Sequence, residues 1–570
     1  ARATRHAEYR YDHDLNGQIT RIWRTPTAEG VALGIEGDEI AFTRDAAGRL
    51  VSESGVNGEL SYKWDAPGNL TNLDLPCGQQ ISWLHYGSGH VSAIRFGSQL
   101  VTEFTRDRLH REVTRTQGAR EQSRSYDSLG RRAAQRSALI TEVALPEKAI
   151  LERLYRYTGR GELAGVSDTL RGEINYGYDA EGRLLKHYES RQGNSSALFT
   201  YDAADNLAAN DAPVTDNRLQ HWQNLFMQYD AWGNMTRRRS GLYEQHYTYD
   251  AENRLLSARG TGPQGRFEAH YLYDALGRRI RKTITTGHGI SETRFLWQGF
   301  RLLQEQHEDG QCRTYIYDPN EVWSPLARVD HLREDKAGEI YWFSTDLNGA
   351  PLEVTDVEGN LRWSGQYGSF GEVRHQTDGF TRLAISTAML HQPLRYAGQY
   401  ADSETGLHYN LFRYYDPQNG RFVVQDPIGL AGGINLYQYA PNTLLWVDPL
   451  GLAATGDYGK MPVMPGYQKH HNIPQSMANH PAIVNSGYDV NNSRNITHLP
   501  SSKAAIEADP GRTVHRGKHN KAYDDLVRGQ LDAIHASNAS PEIKRLRIEA
   551  LSDDLGNKLR SKKIKLNNAC

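Results

Sequence analysis

The sequence predicts a mainly β chain of several domains, a long array of hairpins followed by a small basic domain, and three observations carry that prediction. A Tyr-Asp-x-x-Gly unit recurs along the first half of the 570 residues. Tyr outnumbers Phe 32 to 13, beside 10 Trp, at a mean hydropathy of −0.68, a composition too aromatic for a disordered chain. The charge is divided: residues 453–570 hold 17 Lys and Arg against 11 Asp and Glu, and residues 1–452 hold 49 against 57, although the whole chain sums to −2. A chain of this length exceeds one ordinary core.

Each hairpin is justified by its own residues. Clear copies of the unit are Tyr126-Asp127 with Gly130-Arg131, Tyr178-Asp179 with Gly182-Arg183, Tyr229-Asp230 with Gly233-Asn234, and Tyr273-Asp274 with Gly277-Arg278. Degenerate copies start at Trp64-Asp65, Tyr201-Asp202 and Tyr249-Asp250, and from Tyr178 onward the starts fall 20 to 28 residues apart, a period that marks an array. Tyr ends a strand, Asp hydrogen-bonds the backbone of a tight turn, and Gly or its substitutes Asn and Asp take a positive φ. The Arg or Asn that follows starts the return strand. The Tyr-Asp pairs are structural, and no catalysis is assigned to them.

Composition excludes several classes. Cys77, Cys312 and Cys570 are too few and too scattered for a disulfide framework or a Cys-based zinc site, which suits folding in a reducing cytosol. No apolar run approaches the roughly 20 residues that span a bilayer, and the N-terminus carries no signal-like segment. The chain opens at Ala1 inside the repeat pattern, so it reads as a fragment or processed product. A basic segment behind an acidic array suggests a cargo that meets a polyanion away from its carrier.

Between array and basic segment stand two Asp-Pro-x-Gly-Leu blocks 22 residues apart, Asp426-Pro427-Ile428-Gly429-Leu430 and Asp448-Pro449-Leu450-Gly451-Leu452. Taken alone they are turn chemistry. Together with Asp346-Leu347-Asn348-Gly349-Ala350-Pro351, the Trp363 to Gly371 stretch, Gly420-Arg421-Phe422 and the segment from Gly432 to Asn442, they resemble the core of Rhs/YD-repeat proteins over nearly all of residues 1–452. The resemblance implies a spiral YD-repeat β-cocoon shell over 1–370, a core plug with an aspartyl autoprotease over 371–452, and a toxin domain over 453–570 that begins with a linker, 453–466. It puts the catalytic pair at Asp426 and Asp448, one ionised to activate water and one protonated to polarise the carbonyl. It makes Arg421 an electrostatic influence on that pair and places the scissile bond between Leu452 and Ala453. Thr443 stands where that family often has Pro. The cut toxin is expected to be retained non-covalently by its own β-shell. Shells of the family usually exceed this length, so an incomplete or partner-closed shell is expected.

In the basic segment four features come in order: His470-His471 before Asn472-Ile473-Pro474, Asn495 opening an Asn-Ile-Thr-His-Leu-Pro stretch, His515-x-x-x-His519, and a helix containing Tyr523. Neighbours on a strand face opposite ways, so His470 can face a metal while His471 faces a phosphate. His515 and His519, at i and i+4, share one helical face, unless Gly517 leaves His515 before the helix start. The set resembles the AHH-type nucleases of the HNH/endonuclease VII superfamily, with Lys469 where that name expects Ala. The resemblance implies a small α+β, ββα-metal, HNH-like domain that hydrolyses a phosphodiester. His471 is then the general base, Asn495 holds its ring through the side-chain oxygen, and a divalent metal ion, Mg, Mn, Zn or Ni, sits on His470, His515 and His519. Lys544, Arg545, Arg547, Lys558, Arg560, Lys562, Lys563 and Lys565 are candidate contacts to phosphate or a solvated face. His480, His498 and His535 are read as surface residues.

The function expected from these resemblances is a packaged, self-released antibacterial nuclease, with DNA as substrate and RNA as the second choice. Implied partners are a cognate immunity protein and a secretion apparatus or chaperone, of the type VI secretion kind, engaged through a region N-terminal to Ala1. The protein would be made in the bacterial cytoplasm, secreted, and act in the target-cell cytoplasm. Two further readings share the shell: a teneurin-like adhesion scaffold with a degenerate nuclease tip, and a Tc-type insecticidal carrier. Retention of His471 and every ligand position favours the enzyme over the scaffold.

Overall fold

The computed structural model describes residues 2–87, 89–140, 151–190, 195–202, 204–207, 214–377, 390–433, 435–452, 467–478, 480–488, 490, 495–501, 506, 511, 513–515, 521–537 and 541–566. The chain divides into two compact units, Ala1–Leu154 with Val166–Leu452, and Tyr155–Gly165 with Ala453–Cys570. Among the described residues no helix is long and apolar enough to cross a membrane.

The described residues up to Thr377 are mostly antiparallel hairpins taken in chain order. An 18-stranded sheet runs from Arg2–Ala3 to Ser195–Leu198, and a 15-stranded sheet from His221–Trp222 to Val373–Thr377. The recurring unit explains both. Asp127 Oδ1 accepts the N–H groups of Leu129 and Arg131, each at 2.9 Å, while Oδ2 accepts Arg131 Nε at 2.7 Å. The same three bonds recur at Asp179 and Asp274. At Asp230 the side chain of Asn234 replaces the guanidinium, at 3.1 Å. The turn residue takes positive φ whether it is Gly130 at 79°, Asn253 at 59° or Asp205 at 61°, a conformation that only Gly and short polar residues tolerate cheaply.

Tyr also links one hairpin to the one before it, which the repeat pattern does not reveal. The hydroxyl donates to the carbonyl just after the preceding turn: Tyr126 to Glu112 at 2.7 Å, Tyr201 to Leu184 at 2.9 Å, Tyr249 to Met235 and Tyr273 to Leu255 at 2.7 Å. Trp64 keeps the bond through its indole N–H, to Leu50 at 2.7 Å. The preceding turn's Arg lies over the same ring, Arg111 at 4.6 Å from the centroid of Tyr126 and Arg183 at 5.0 Å from that of Tyr201. Phe would pack there but could not donate, which gives this position of the repeat a reason to prefer Tyr.

The two large sheets share an apolar core that brings Leu60, Leu73, Ile94 and Phe104 against Leu296, Leu326, Val329 and Trp342. Buried ion networks join them as well. Arg115 reaches Asp318 at 2.5 Å, and Arg171 holds both Asp168 at 3.0 Å and Glu353 at 2.6 Å. Flanked by Arg153 and Arg171, the Asp168 carboxyl is pulled down to about 2 against the opposing effect of its burial.

A four-stranded sheet, Tyr400–Ala401, His408–Asn410, Arg413–Asp416 and Arg421–Phe422, completes this unit. It is anchored on the 15-stranded sheet by Arg279 to Asp402 at 2.6 Å and Arg238 to Asp416 at 2.8 Å.

The C-terminal part of the second unit pairs strands Tyr467–His471 and Ile496–Pro500 antiparallel, with His470 opposite Thr497 and His471 opposite Ile496. Helices Pro481–Ser486, Lys521–Ala536 and Pro541–Arg560 pack with this ribbon around Ile473, Leu499, Tyr523, Val527, Leu531 and Ile548. It is a two-stranded ribbon with helices, an α+β arrangement. The linker 453–466 lies outside the described residues. Cys77 and Cys312 are free thiols.

Candidate functional site

Two sites emerge, one in each unit. In the first unit the Asp448 to Leu452 segment lies against the strand that carries Arg413. Asn410 Nδ2 donates to Asp448 O at 2.7 Å, and Phe412 N to Leu450 O at 3.3 Å. Arg413 Nη2 stands 3.1 Å from Asp426 Oδ2 and 3.5 Å from Asp448 Oδ2, so one guanidinium faces both carboxylates. All three side chains are buried. Burial lowers the Arg413 guanidinium below its ordinary value, and the two carboxylates oppose that. Asp448 Oδ1 accepts the Leu452 N–H at 3.0 Å, and Asp426 Oδ1 accepts the Ile428 N–H at 3.0 Å. The carboxylates therefore flank the peptide that ends at Leu452. Ala453 lies outside the described residues.

Arg421 does not join this pair. It donates to Asn206 Oδ1 at 2.6 Å and to the carbonyl of Asn217, and lies over Tyr437. Strand alternation is the reason: Arg421 pairs with Asp416, whereas Arg413 shares a face with Tyr415 and Phe422, its guanidinium 3.6 Å from the Phe422 centroid. The expectation for Arg421 is corrected to Arg413. The signal was present as the alternation of the Arg413–Asp416 strand, but choosing between the two arginines needed the register.

In the second unit the His470-His471 pair splits as strand geometry demands, His470 buried and His471 half-buried. The His515 ring lies 5.0 Å from that of His470. His515 is not helical: its N–H donates to Pro500 O at 3.0 Å, and the described helix begins at Lys521. His519 lies outside the described residues, and among those described no three His, Cys, Asp or Glu side chains converge on one point. His515 Nδ1 meets Gln468 Oε1 at 2.5 Å, which fixes the orientation of the ring beside His470. Tyr523 sits under His470, with ring centroids 5.6 Å apart, and its hydroxyl donates to Asn472 O at 2.6 Å. Burial raises the Tyr523 phenol above its ordinary value, so it stays a donor. Two imidazoles held this way are a donor set that a divalent ion accepts.

Asn495 is fully buried and its amide is committed to the backbone around the histidines. Oδ1 accepts from Ile473 N at 2.8 Å and Ser552 Oγ at 2.9 Å, and Nδ2 donates to Ile473 O at 2.8 Å and Val490 O at 2.7 Å. Both acceptor positions of Oδ1 are filled, so the side chain fixes the segment that follows His471 rather than the His471 ring itself. Ser552 and Gln468 were not singled out in the sequence, and nothing in their local pattern marks them.

His480 is buried, caps Pro481–Ser486 through Nδ1 and meets Asp532 at 3.0 Å, so it is structural rather than a surface residue. His535 is exposed, and the side chain of His498 lies outside what is described. On the last helix Arg545 pairs with Glu549 and Lys558 with Asp554 one turn apart, which leaves that face less positive than its sequence suggests.

Comparison with known proteins adds the following. Residues 140–444 match the family model described as "Teneurin YD-shell", and residues 453–559 match "A nuclease family of the HNH/ENDO VII superfamily with conserved AHH". The chain is 43% identical over 486 residues to "Double-stranded DNA deaminase toxin A" of Burkholderia cenocepacia, covering 80% of this chain and 34% of that one. It is 30% identical over 488 residues to "Probable deoxyribonuclease RhsB" of Dickeya dadantii, covering 79% and 30%. The chain thus spans about a third of the length of these curated relatives. A solved Tc holotoxin pore of Photorhabdus luminescens aligns with TM-score 0.59 at 15% identity, over 78% of this chain and 26% of that one, a likeness of fold alone.

Proposed function

Because the chain belongs to the teneurin YD-shell family and carries an AHH-type domain behind the shell, we propose that it is a self-cleaving toxin whose C-terminal domain is a metal-dependent nuclease. The observation that carries the nuclease reading is the split His470-His471 pair, one ring beside His515 and the other half-buried, on a ribbon fixed by Asn495. His471, an imidazole of a type that titrates near neutrality, takes a proton from the attacking water. Asn495 positions it through the backbone, and Tyr523 supports His470 and Asn472. His470, His515 and His519 would hold the divalent ion, Mg, Mn, Zn or Ni, which supplies charge stabilisation at the phosphate. DNA is the proposed substrate, in keeping with the named activity of the Dickeya relative.

Self-cleavage is proposed at the Leu452–Ala453 bond. Water attacks the Leu452 carbonyl carbon and yields a proton to Asp448, while Asp426 gives its proton to the carbonyl oxygen. As the C–N bond breaks, Asp448 returns that proton to the leaving amine and Asp426 recovers one from the diol, leaving a Leu452 carboxyl and a free Ala453 amine. Arg413 faces both carboxylates, at 3.1 and 3.5 Å, and offsets one negative charge of the pair, so the two carboxyls share one proton in the buried site. In the cell the cut domain would be retained by its own shell, neutralised in the producer by a cognate immunity protein, delivered by a secretion system, and active in the cytoplasm of a rival bacterium.

The test is nicking of supercoiled plasmid by the 453–570 product released from the cut full chain, with and without a chelator, beside the same product from a His471→Ala chain. Chelator-sensitive cutting that the substitution abolishes is expected; intact plasmid and intact RNA under every divalent metal would defeat the nuclease. For the cleavage, Asp426→Asn and Asp448→Asn should each give one uncut band on a denaturing gel, and normal processing in both would overturn it.

A further inference from the structure

We propose that Gly432 is a positioning residue for the cleavage, the gap in which the Asp426 carboxyl meets the Leu452 carbonyl; this rests on the self-cleavage reading above. A β-carbon placed on Gly432 would stand 2.1 Å from Asp426 Oδ2 and 2.8 Å from Leu452 O, both inside the closest approach that carbon and oxygen allow. The acid and the carbonyl that it is to polarise therefore occupy the very volume that a methyl group would take.

Conformation does not explain this glycine. Gly432 has φ −80° and ψ −17°, which alanine adopts freely. Its neighbours differ: Gly433 at φ 140° and Gly429 at φ 60° need glycine for their backbone, and a β-carbon on either meets nothing within 4 Å. Within this loop the requirement at Gly432 is spatial, and the reacting groups impose it.

Neither side can withdraw. The loop is tied by Gly432 N to Gly429 O at 3.0 Å, Gly429 N to Asp426 O at 2.9 Å and Asp426 N to Leu436 O at 2.8 Å. The scissile segment is tied by the Leu452 N–H to Asp448 at 3.0 Å and by the Arg413 Nε–H to the Gly451 carbonyl at 2.5 Å. With both backbones tied, the strain of an added methyl group falls on the rotatable Asp426 side chain and turns that carboxyl away from the carbonyl.

The experiment follows processing of the full chain after synthesis. Gly432→Ala is expected to slow cutting by about a hundredfold, the order that a misplacement near 1 Å costs, and Gly432→Val by more. The pH–rate profile of the residual cutting should lose the limb that Asp426 contributes, which a general loosening of the fold would leave in place. Any fall in melting temperature caused by Gly432→Ala should shrink when Asp426→Ala removes the obstructing carboxyl. Parent-rate cutting in Gly432→Ala with Asp426→Asn still uncut overturns the role of Gly432 alone, as does an equal melting penalty in both backgrounds. Processing in both aspartate variants overturns the cleavage reading instead.

Discussion

The hairpin array and the C-terminal domain encode their structures in opposite ways. In the array, each turn is specified by a carboxylate that binds residues two and four positions away, and the same bonds return in turn after turn. In the C-terminal domain, the contacts that shape the site occur once and join residues 22, 51 and 57 positions apart. Local repetition makes a fold tolerant, because each unit carries a small share of the stability. A single clamp concentrates its contribution, and its loss is not shared.

Four measurements probe that contrast, in descending order of effect. His471→Ala should lower plasmid cutting by about a thousandfold while leaving the Leu452 border processed as in the parent; a parallel loss of processing would mean that the two sites are not separable. Asn495→Ala removes four bonds in the C-terminal core and should destabilise that domain by about 3 kcal/mol, with the array's own melting transition unmoved. A shift of under about 1 kcal/mol would deny Asn495 its role as clamp.

The third uses pH. The carboxyl of Asp168 is held at about 2 by Arg153 and Arg171, below its ordinary 3.8, so its contribution is complete above the ordinary value and is lost as pH falls through about 2. That contribution is on the order of 2 kcal/mol. Asp168→Asn should remove it near neutrality and flatten the acid limb of denaturant-measured stability; an unchanged limb would place the acid sensitivity elsewhere. Smallest is Tyr126→Phe, which deletes one bond between hairpins and should cost about 1 kcal/mol, seen as faster amide exchange confined to the adjoining strands.

The array was legible because its code is short: Tyr, Asp and Gly at fixed offsets name a strand end, a turn and a positive φ without reference to anything distant. Its second layer was not, since the carbonyl that each Tyr hydroxyl reaches carries no identity in sequence. In the border site the two aspartates could be picked out by their flanking Pro and Gly, but the arginine beside them could not, because Arg413 and Arg421 flank the same Tyr-Tyr-Asp-Pro and only the register separates them. In the C-terminal domain the histidines announced themselves by type. Asn495 was found for its position and misread in its bonding, since a buried amide can serve a ring or a backbone equally well.

Every side-chain bond between hairpins described above runs from a later Tyr hydroxyl, or the Trp64 indole N–H, to an earlier carbonyl. Synthesis on the ribosome proceeds in the same direction. Each hairpin, on emerging, supplies the donor that completes the one before it, so each of these bonds waits only for the next unit to emerge. Assembly of the wall is thereby vectorial, sealed behind the advancing end.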